Sequence, residues 1–171
     1  MSRIGDWINL YFIFVYPIIY ILPAYVANGS PVIFKGVKPI DFGKTFKGKR
    51  IFGPHKTIRG LIFGLASGIV VGAAESLILP YMLVVGIVLS IGTHFGDLFG
   101  SFIKRRMGKE SGSSVPFLDQ YLFLIFALLF AYPLGNMPGI VGIIFLFILT
   151  GIMHKLTNVL ANKAKLKDVP W

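Results

Sequence analysis

The chain has 171 residues, 55% of them hydrophobic and only 14% charged, with a mean hydropathy of +0.76 and a formal net charge of +10. That balance excludes a soluble globular domain and reads as a single membrane domain over residues 1–171. The absence of cysteine excludes disulfides, thiolate metal sites and thiol nucleophiles.

The opening MSRIGDWINLYFIF carries one base and one acid before a long apolar run with no small-residue cleavage site, so it reads as a retained helix and not a signal peptide. Five apolar segments follow in order, at 8–27, 61–79, 81–103, 118–134 and 139–156. Each is near the roughly 20 residues that a hydrocarbon core requires, and the fourth is short. The breakers Asn28-Gly29-Ser30-Pro31, Pro80 and Gly135-Asn136-Met137-Pro138 separate them. The expected fold is an all-α integral membrane protein of five transmembrane helices, with long loops at 32–60 and 104–117. Gly60, Gly64, Gly68 and Gly72 make a small-residue ridge along the second span, suited to packing on the third.

The 17 bases are clustered: eight from Lys35 to Arg59, four from Lys104 to Lys109, four from Lys155 to Lys167, and Arg3 alone. Five spans put all three clusters on one side, which the positive-inside rule makes cytoplasmic. The N-terminus is then outside, the C-terminus inside, and both long loops cytoplasmic. The tail 162–171 reads as a polar extension of the last helix. Basic loops of this kind also orient ordinary membrane proteins and attract anionic lipid. Bases that alternate with Gly43, Gly48, Gly53 and Gly60 just before a helix N-terminus suit phosphate binding as well.

Charge enters the membrane between Gly92 and Gln120. Asp97 stands in an otherwise apolar run, and a carboxylate at that depth is costly enough to be a functional-site hypothesis by default. Asp97, Ser101, Lys104, Arg105 and Gly108 fall on one helix face, with Lys104 roughly 10 Å beyond Asp97. Asp119 opens the next helix, so the two acids can face each other. Two carboxylates suffice for magnesium, which also takes substrate phosphates and water. The plainer readings are an Asp97 paired with His94 or Lys104, an Asp119 that is only a helix N-cap, and a Ser101 that packs or hydrogen-bonds. His94 also reads as a side chain that orients Asp97 by a hydrogen bond or as a plain core histidine, His55 as an exposed loop residue, and Glu75 as an interfacial acid at the far end. A proton or cation relay through Asp97 and His94 fits poorly with so many bases at its mouth, and five spans carry no inverted repeat. A protein that merely anchors to anionic lipid leaves both acids unexplained, and the paired-acid helix motif of CDP-alcohol phosphatidyltransferases is absent.

Ser101, Lys104, Arg105, Gly108, Lys109 and Glu110, followed by Pro116, Asp119 and Gln120, resemble the signature of the phosphatidate cytidylyltransferase family. The Gly-His-Gly-Gly insert is missing, Lys-Glu replaces Lys-Asp, and the motif ends at Asp119-Gln120. The shortened form is similar to the archaeal CDP-archaeol synthase branch, as is GKRIFGPHKTIRG from Gly48 to Gly60. The resemblance covers nearly the whole chain. It implies magnesium-dependent transfer of a cytidylyl group from CTP to 2,3-bis-(O-geranylgeranyl)-sn-glycerol 1-phosphate at the cytoplasmic face of the plasma membrane. Asp97 and Asp119 would hold Mg2+, and Lys104 and Arg105 would bear charge on the leaving pyrophosphate. Lys49, Arg50, Lys56, Thr57, Arg59, Ser101, Arg106 and Gln120 would hold nucleotide or lipid phosphate. CTP, an isoprenoid glycerol-phosphate lipid and membrane lipids are the expected partners, with no nucleic acid and no signal of oligomeric state.

Overall fold

The structure, a computed structural model, describes residues 2–166, with side chains from residue 6 onward. Residues 167–171 of the expected polar tail lie outside it.

Helix α1 (Ser2–Leu10) continues through a π-helical turn, Tyr11–Val15, into α2 (Tyr16–Gly29), so that Asp6–Val32 forms one long apolar rod. Pro17 has no N–H to give the carbonyl four residues back, and the widened turn lies at that break. After a loop come α3 (Ile58–Glu75), α4 (Met82–Arg106), α5 (Pro116–Ala131) and α6 (Ile140–Lys163). Five helical stretches are therefore long and apolar enough to cross a membrane. Several helices carry polar turns past the apolar run that announced them, whereas α3 stops at Glu75, four residues short of the expected end. At its other end α3 begins at Thr57, whose Oγ1 accepts the Gly60 N–H at 3.1 Å, and α6 runs to Lys163.

Helix α4 is the hub. Its buried Met82, Val85 and Leu89 join Tyr20, Ile21 and Ala24 of α2, Phe123, Leu124, Ala127 and Leu128 of α5, and Leu146 of α6 in one core. Helix α3 adds no large side chain to this core: its buried residues are Gly60, Gly64, Gly68 and Gly72. The ridge meets Pro31 at Gly60, His94 at Gly64, Ser90 at Gly68 and Gly86 at Gly72, so it packs mainly on α4, as its spacing suggests. A Cβ on Gly72 would lie 2.8 Å from the Gly86 Cα. On another face of α4, Gly92, Gly96 and Gly100 admit α5, and a Cβ on Gly92 would lie 2.8 Å from the Ala127 Cα. Lipid tails are as apolar as these helices, so close backbone approach carries their association.

The all-α expectation needs one correction. Loop 32–60 contains a two-stranded hairpin, β1 (Thr45–Phe46) and β2 (Lys49–Arg50), closed by Lys47 and Gly48 with φ of 50° and 73°. Two consecutive positive φ values match the twist of a two-residue hairpin turn. A further bridge joins Pro39 to Thr57, with Ile40 N–H donating to the Lys56 carbonyl at 2.8 Å.

A leucine at position 72 must push α3 off α4. Overpacking of this kind costs about 1–3 kcal/mol, so Gly72→Leu should lower the melting temperature in detergent. Gly29→Ala, where nothing lies within 4 Å of the added methyl, should leave it unchanged or raise it.

Candidate active site

Two ion pairs bracket the end of the bundle at which α4 finishes and α5 begins. Lys56 Nζ donates to both carboxylate oxygens of Asp97, at 2.5 and 2.6 Å. Lys104 Nζ donates to Asp119 Oδ1 at 2.5 Å. Asp97 and Lys104 are seven residues apart on α4 and so lie on the same side of that helix, about 10 Å apart along its axis. Each pair is partly open to water, so neither adds much stability. Their weight is positional: each ties α4 to a neighbouring element, the loop before α3 through Lys56 and α5 through Asp119.

These partners differ from those the helix face suggested. Lys104, two turns up, is beyond the reach of Asp97 and turns across to α5, while the loop supplies Lys56. The strand bridge at Pro39–Thr57 fixes the backbone of Lys56 at the groove. Asp119 has a second contact, accepting the Val115 N–H on Oδ2 at 2.8 Å. Val115, not Asp119, is the N-cap residue, and Asp119 satisfies the cap's own amide from within the first turn. The capping role and the charged pair thus coexist. Ser101 is buried and donates to the Asp97 carbonyl at 3.0 Å. Gln120 is half-buried beside this group and makes no hydrogen bond. His94, also buried, lies against Gly64 with Nε2 unpartnered.

The remaining bases go elsewhere. Arg106 is nine residues from Asp97, about half a turn around α4, and its guanidinium donates to the carbonyls of Phe46, Lys49 and Arg50, at 3.0 Å for Lys49 and 2.7 Å for Arg50. Lys49 and Arg50 lie on that hairpin. Arg105 is buried, donates to the Glu110 carbonyl at 2.9 Å, and abuts Gly53. Arg59 is exposed with its guanidinium over the Phe63 ring. The structure therefore pairs Asp97 with Lys56 and Asp119 with Lys104, with Ser101 one turn from Asp97, and directs Lys49, Arg50, Arg59 and Arg106 to other contacts. A cavity of about 320 Å³ beside them is lined by Lys49, Arg50, Arg105, Lys109, Glu110 and Ser111, among others, but by neither aspartate. Depth alone is thus no guide to the chemistry here.

Asp41 is a residue the sequence reading passed over. Buried, it accepts hydrogen bonds from the Arg50 guanidinium and from the N–H groups of Gly43, Phe52 and Gly53 at 3.1, 3.1 and 2.9 Å. The signal was present, since Asp41 is the lone acid among the eight bases of that loop. Burial pushes its carboxyl up, but the Arg50 contact and the three amides outweigh that and hold it well below the usual carboxylate range.

Carboxylate oxygens are donors of the kind a hard divalent cation takes. Among the described residues no three ligating side chains cluster. A hard cation here would have two carboxylates and would take its other oxygens from water and phosphate, which is how magnesium is held in nucleotide sites.

Fold and site together define a polytopic membrane protein with an anion-attracting polar groove at one end of its bundle. The chain belongs to the CDP-archaeol synthase family, whose CarS-like model matches residues 9–171. It is 48% identical over 159 residues to the CDP-archaeol synthase of Pyrococcus furiosus, covering 89% of this chain and 95% of that one. Identity to the enzyme of Methanococcus aeolicus is 43% over 168 residues, covering 90% and 94%. A solved intramembrane enzyme for archaeal membrane lipid biosynthesis superposes with a TM-score of 0.78 at 34% identity, covering 83% of this chain and 92% of that chain. The protein is thus an enzyme, a cytidylyltransferase of archaeal membrane lipid synthesis.

Asp41→Asn should free the loop, read as faster hydrogen exchange at Phe52 and Gly53 with α5 unaffected. Because the folded carboxyl is held low, its contribution is full above the ordinary value of about 3.9 and fades as pH falls further. Wild-type protection at these amides should therefore persist at pH 5 and weaken only in stronger acid.

Proposed function

We propose that the enzyme transfers the cytidylyl group of CTP to 2,3-bis-(O-geranylgeranyl)-sn-glycerol 1-phosphate, with Mg2+, at the cytoplasmic face of the cell membrane. One observation supports the reading: two partly exposed carboxylates on adjacent helices are each clasped by a lysine. The family supplies the substrates, and the clustered bases support the orientation.

A lipid phosphate monoester has its second pKa near 6 and is mostly dianionic at neutral pH, so it needs no general base. Its oxygen attacks the α-phosphorus of CTP, the bond to the bridging oxygen of the β-phosphate breaks, and pyrophosphate leaves with that electron pair. Positioning and charge neutralisation supply the catalysis. Asp97 and Asp119 are the residues that would hold the metal. When bound, it draws charge from the triphosphate and polarises the phosphoryl oxygens. Lys56 and Lys104 give hydrogen bonds that phosphate oxygens can accept in place of the carboxylates, so both ammonium groups serve the nucleotide and the leaving pyrophosphate. Ser101 fixes the turn that carries Asp97. Arg105 acts through the backbone it holds, keeping the α4–α5 turn closed over the groove. Thr57 sets the start of α3, one residue beyond Lys56.

Asp97→Asn and Asp119→Asn preserve shape while removing an anionic oxygen from the metal. Each should lower turnover of labelled CTP with the geranylgeranyl acceptor by about 10³ or more, with little change in melting temperature. Asn caps helices as well as Asp does, so an Asp119 needed only at the helix start predicts near-normal activity. Retention of a tenth of the wild-type rate by Asp119→Asn would refute the two-carboxylate site.

Orientation is tested separately in this chain without native cysteine. Lys109→Cys should react with membrane-impermeant maleimide only after the cells are opened, and labelling of intact cells would reverse the topology.

A further inference from the structure

The far face of α4 carries a second constellation that the proposed chemistry does not use. Phe95, Phe99, Phe102 and Arg106 recur at four, seven and eleven residues and so make one stripe. It lies about half a turn from the Asp97 face. Phe95 and Phe99 are 48% and 40% exposed, turned to the lipid side, and their rings pack on Phe126 of α5 with centroids 5.1 and 5.3 Å away. At the membrane boundary the stripe runs into the hairpin. There the Arg106 guanidinium lies 5.1 Å from the Phe102 centroid and 5.4 Å from that of Phe46, and Lys47 Nζ is 5.8 Å from the Phe46 centroid.

A depression of about 500 Å³ opens at this junction, lined by Phe46, Lys47, Lys49, Phe102 and Arg106. Three of its five residues are cations and none is an acid. Among the described residues, no carboxylate forms an ion pair with any of the three, since the ion pairs are Arg50–Asp41, Lys56–Asp97 and Lys104–Asp119. Arg106 spends its terminal nitrogens on carbonyls, which clamps the hairpin to the helix but leaves its charge uncompensated, and its Nε is buried without a partner. A basic depression that continues into an exposed aromatic stripe has the polarity of a lipid: anionic head at the boundary, chains in the hydrocarbon.

We propose that this pocket is a binding site for an anionic phospholipid, separate from the groove of Asp97 and Asp119. The phosphodiester sits among Lys47, Lys49 and Arg106, and the chains lie along Phe102, Phe99 and Phe95. The pocket's charge alone would also accept a free phosphate ester. The adjoining stripe of phenylalanines argues for the lipid.

Native mass spectrometry of the full chain, released from detergent containing equal amounts of phosphatidylglycerol and phosphatidylcholine, tests the site. The wild type should retain phosphatidylglycerol at least about fivefold over phosphatidylcholine. Lys47→Glu, at the exposed hairpin tip, should abolish that preference, with the milder Lys47→Gln between the two. Asp97→Asn and added CTP should leave it intact. Equal retention of the two lipids by the wild type, or an unchanged preference in Lys47→Glu, would overturn the site. Loss of the preference in Asp97→Asn or on adding CTP would merge it with the active groove and overturn its independence. Displacement by glycerol phosphate at the lipid's own concentration would make the ligand a free phosphate ester and overturn the lipid assignment.

Discussion

A carboxylate set among apolar side chains near the end of a membrane helix needs a cation within reach, and the contact of Lys56 with Asp97 meets that need. Much of the loop conformation serves this one contact. Asp41 gathers Arg50 and three backbone amides, which folds loop 32–57 into a fixed shape, and the Pro39–Thr57 bridge sets the backbone of Lys56. Thr57 then caps α3, and the glycine ridge lets that helix lie against α4 closely enough for the lysine to arrive. Sequence, loop, helix start and packing are thus coupled through one ammonium group.

Helix α4 works as a partition because its faces have different chemistry. The face toward α3 carries Gly86, Ser90, His94 and Asp97, and the face toward α5 carries Gly92, Gly96 and Gly100. The third carries the phenylalanines and meets lipid. Two of these faces are backbone surfaces where even a methyl group would collide, so the helix cannot rotate to exchange them. Rotational locking keeps Asp97 inward and Arg106 outward, although both belong to one basic and acidic stretch of sequence.

The parts visible in the sequence were those with strong local physics. Five apolar runs announce five spans, spacing by four announces the glycine ridge, and an acid well inside an apolar run announces Asp97. Periodicity could place Lys104 on the Asp97 stripe but could not say that Lys104 would turn to Asp119 and leave Asp97 to the loop. That choice depends on where a chain of nearly thirty loop residues goes, which no helical period encodes. Lys49 and Arg106 enter the expected site through the resemblance, and their contacts with each other across the hairpin depend on a loop path that no helical period encodes. The hairpin has a weak signal: Lys47-Gly48 demands positive φ from a lysine, where asparagine or glycine is the usual occupant.

The arginines and lysines at this end divide the labour in a way their chemistry explains. Arg50, Arg105 and Arg106 direct their planar forks at a buried carboxylate and at backbone carbonyls, where several fixed hydrogen bonds hold a loop. Lys56 and Lys104 meet the two carboxylates of the groove, where a compact charge on a flexible stem can leave one oxygen for another at small cost. On the proposed reading, the cation of an arriving triphosphate would compete with these two lysines for the carboxylates, and a lysine could follow the phosphate where an arginine fork would hold on. Each acid is held against a cation in the free protein, which limits the penalty of keeping it near the end of an apolar helix, and on the proposed reading the acids would be freed only as the nucleotide supplies other anions for the lysines to meet.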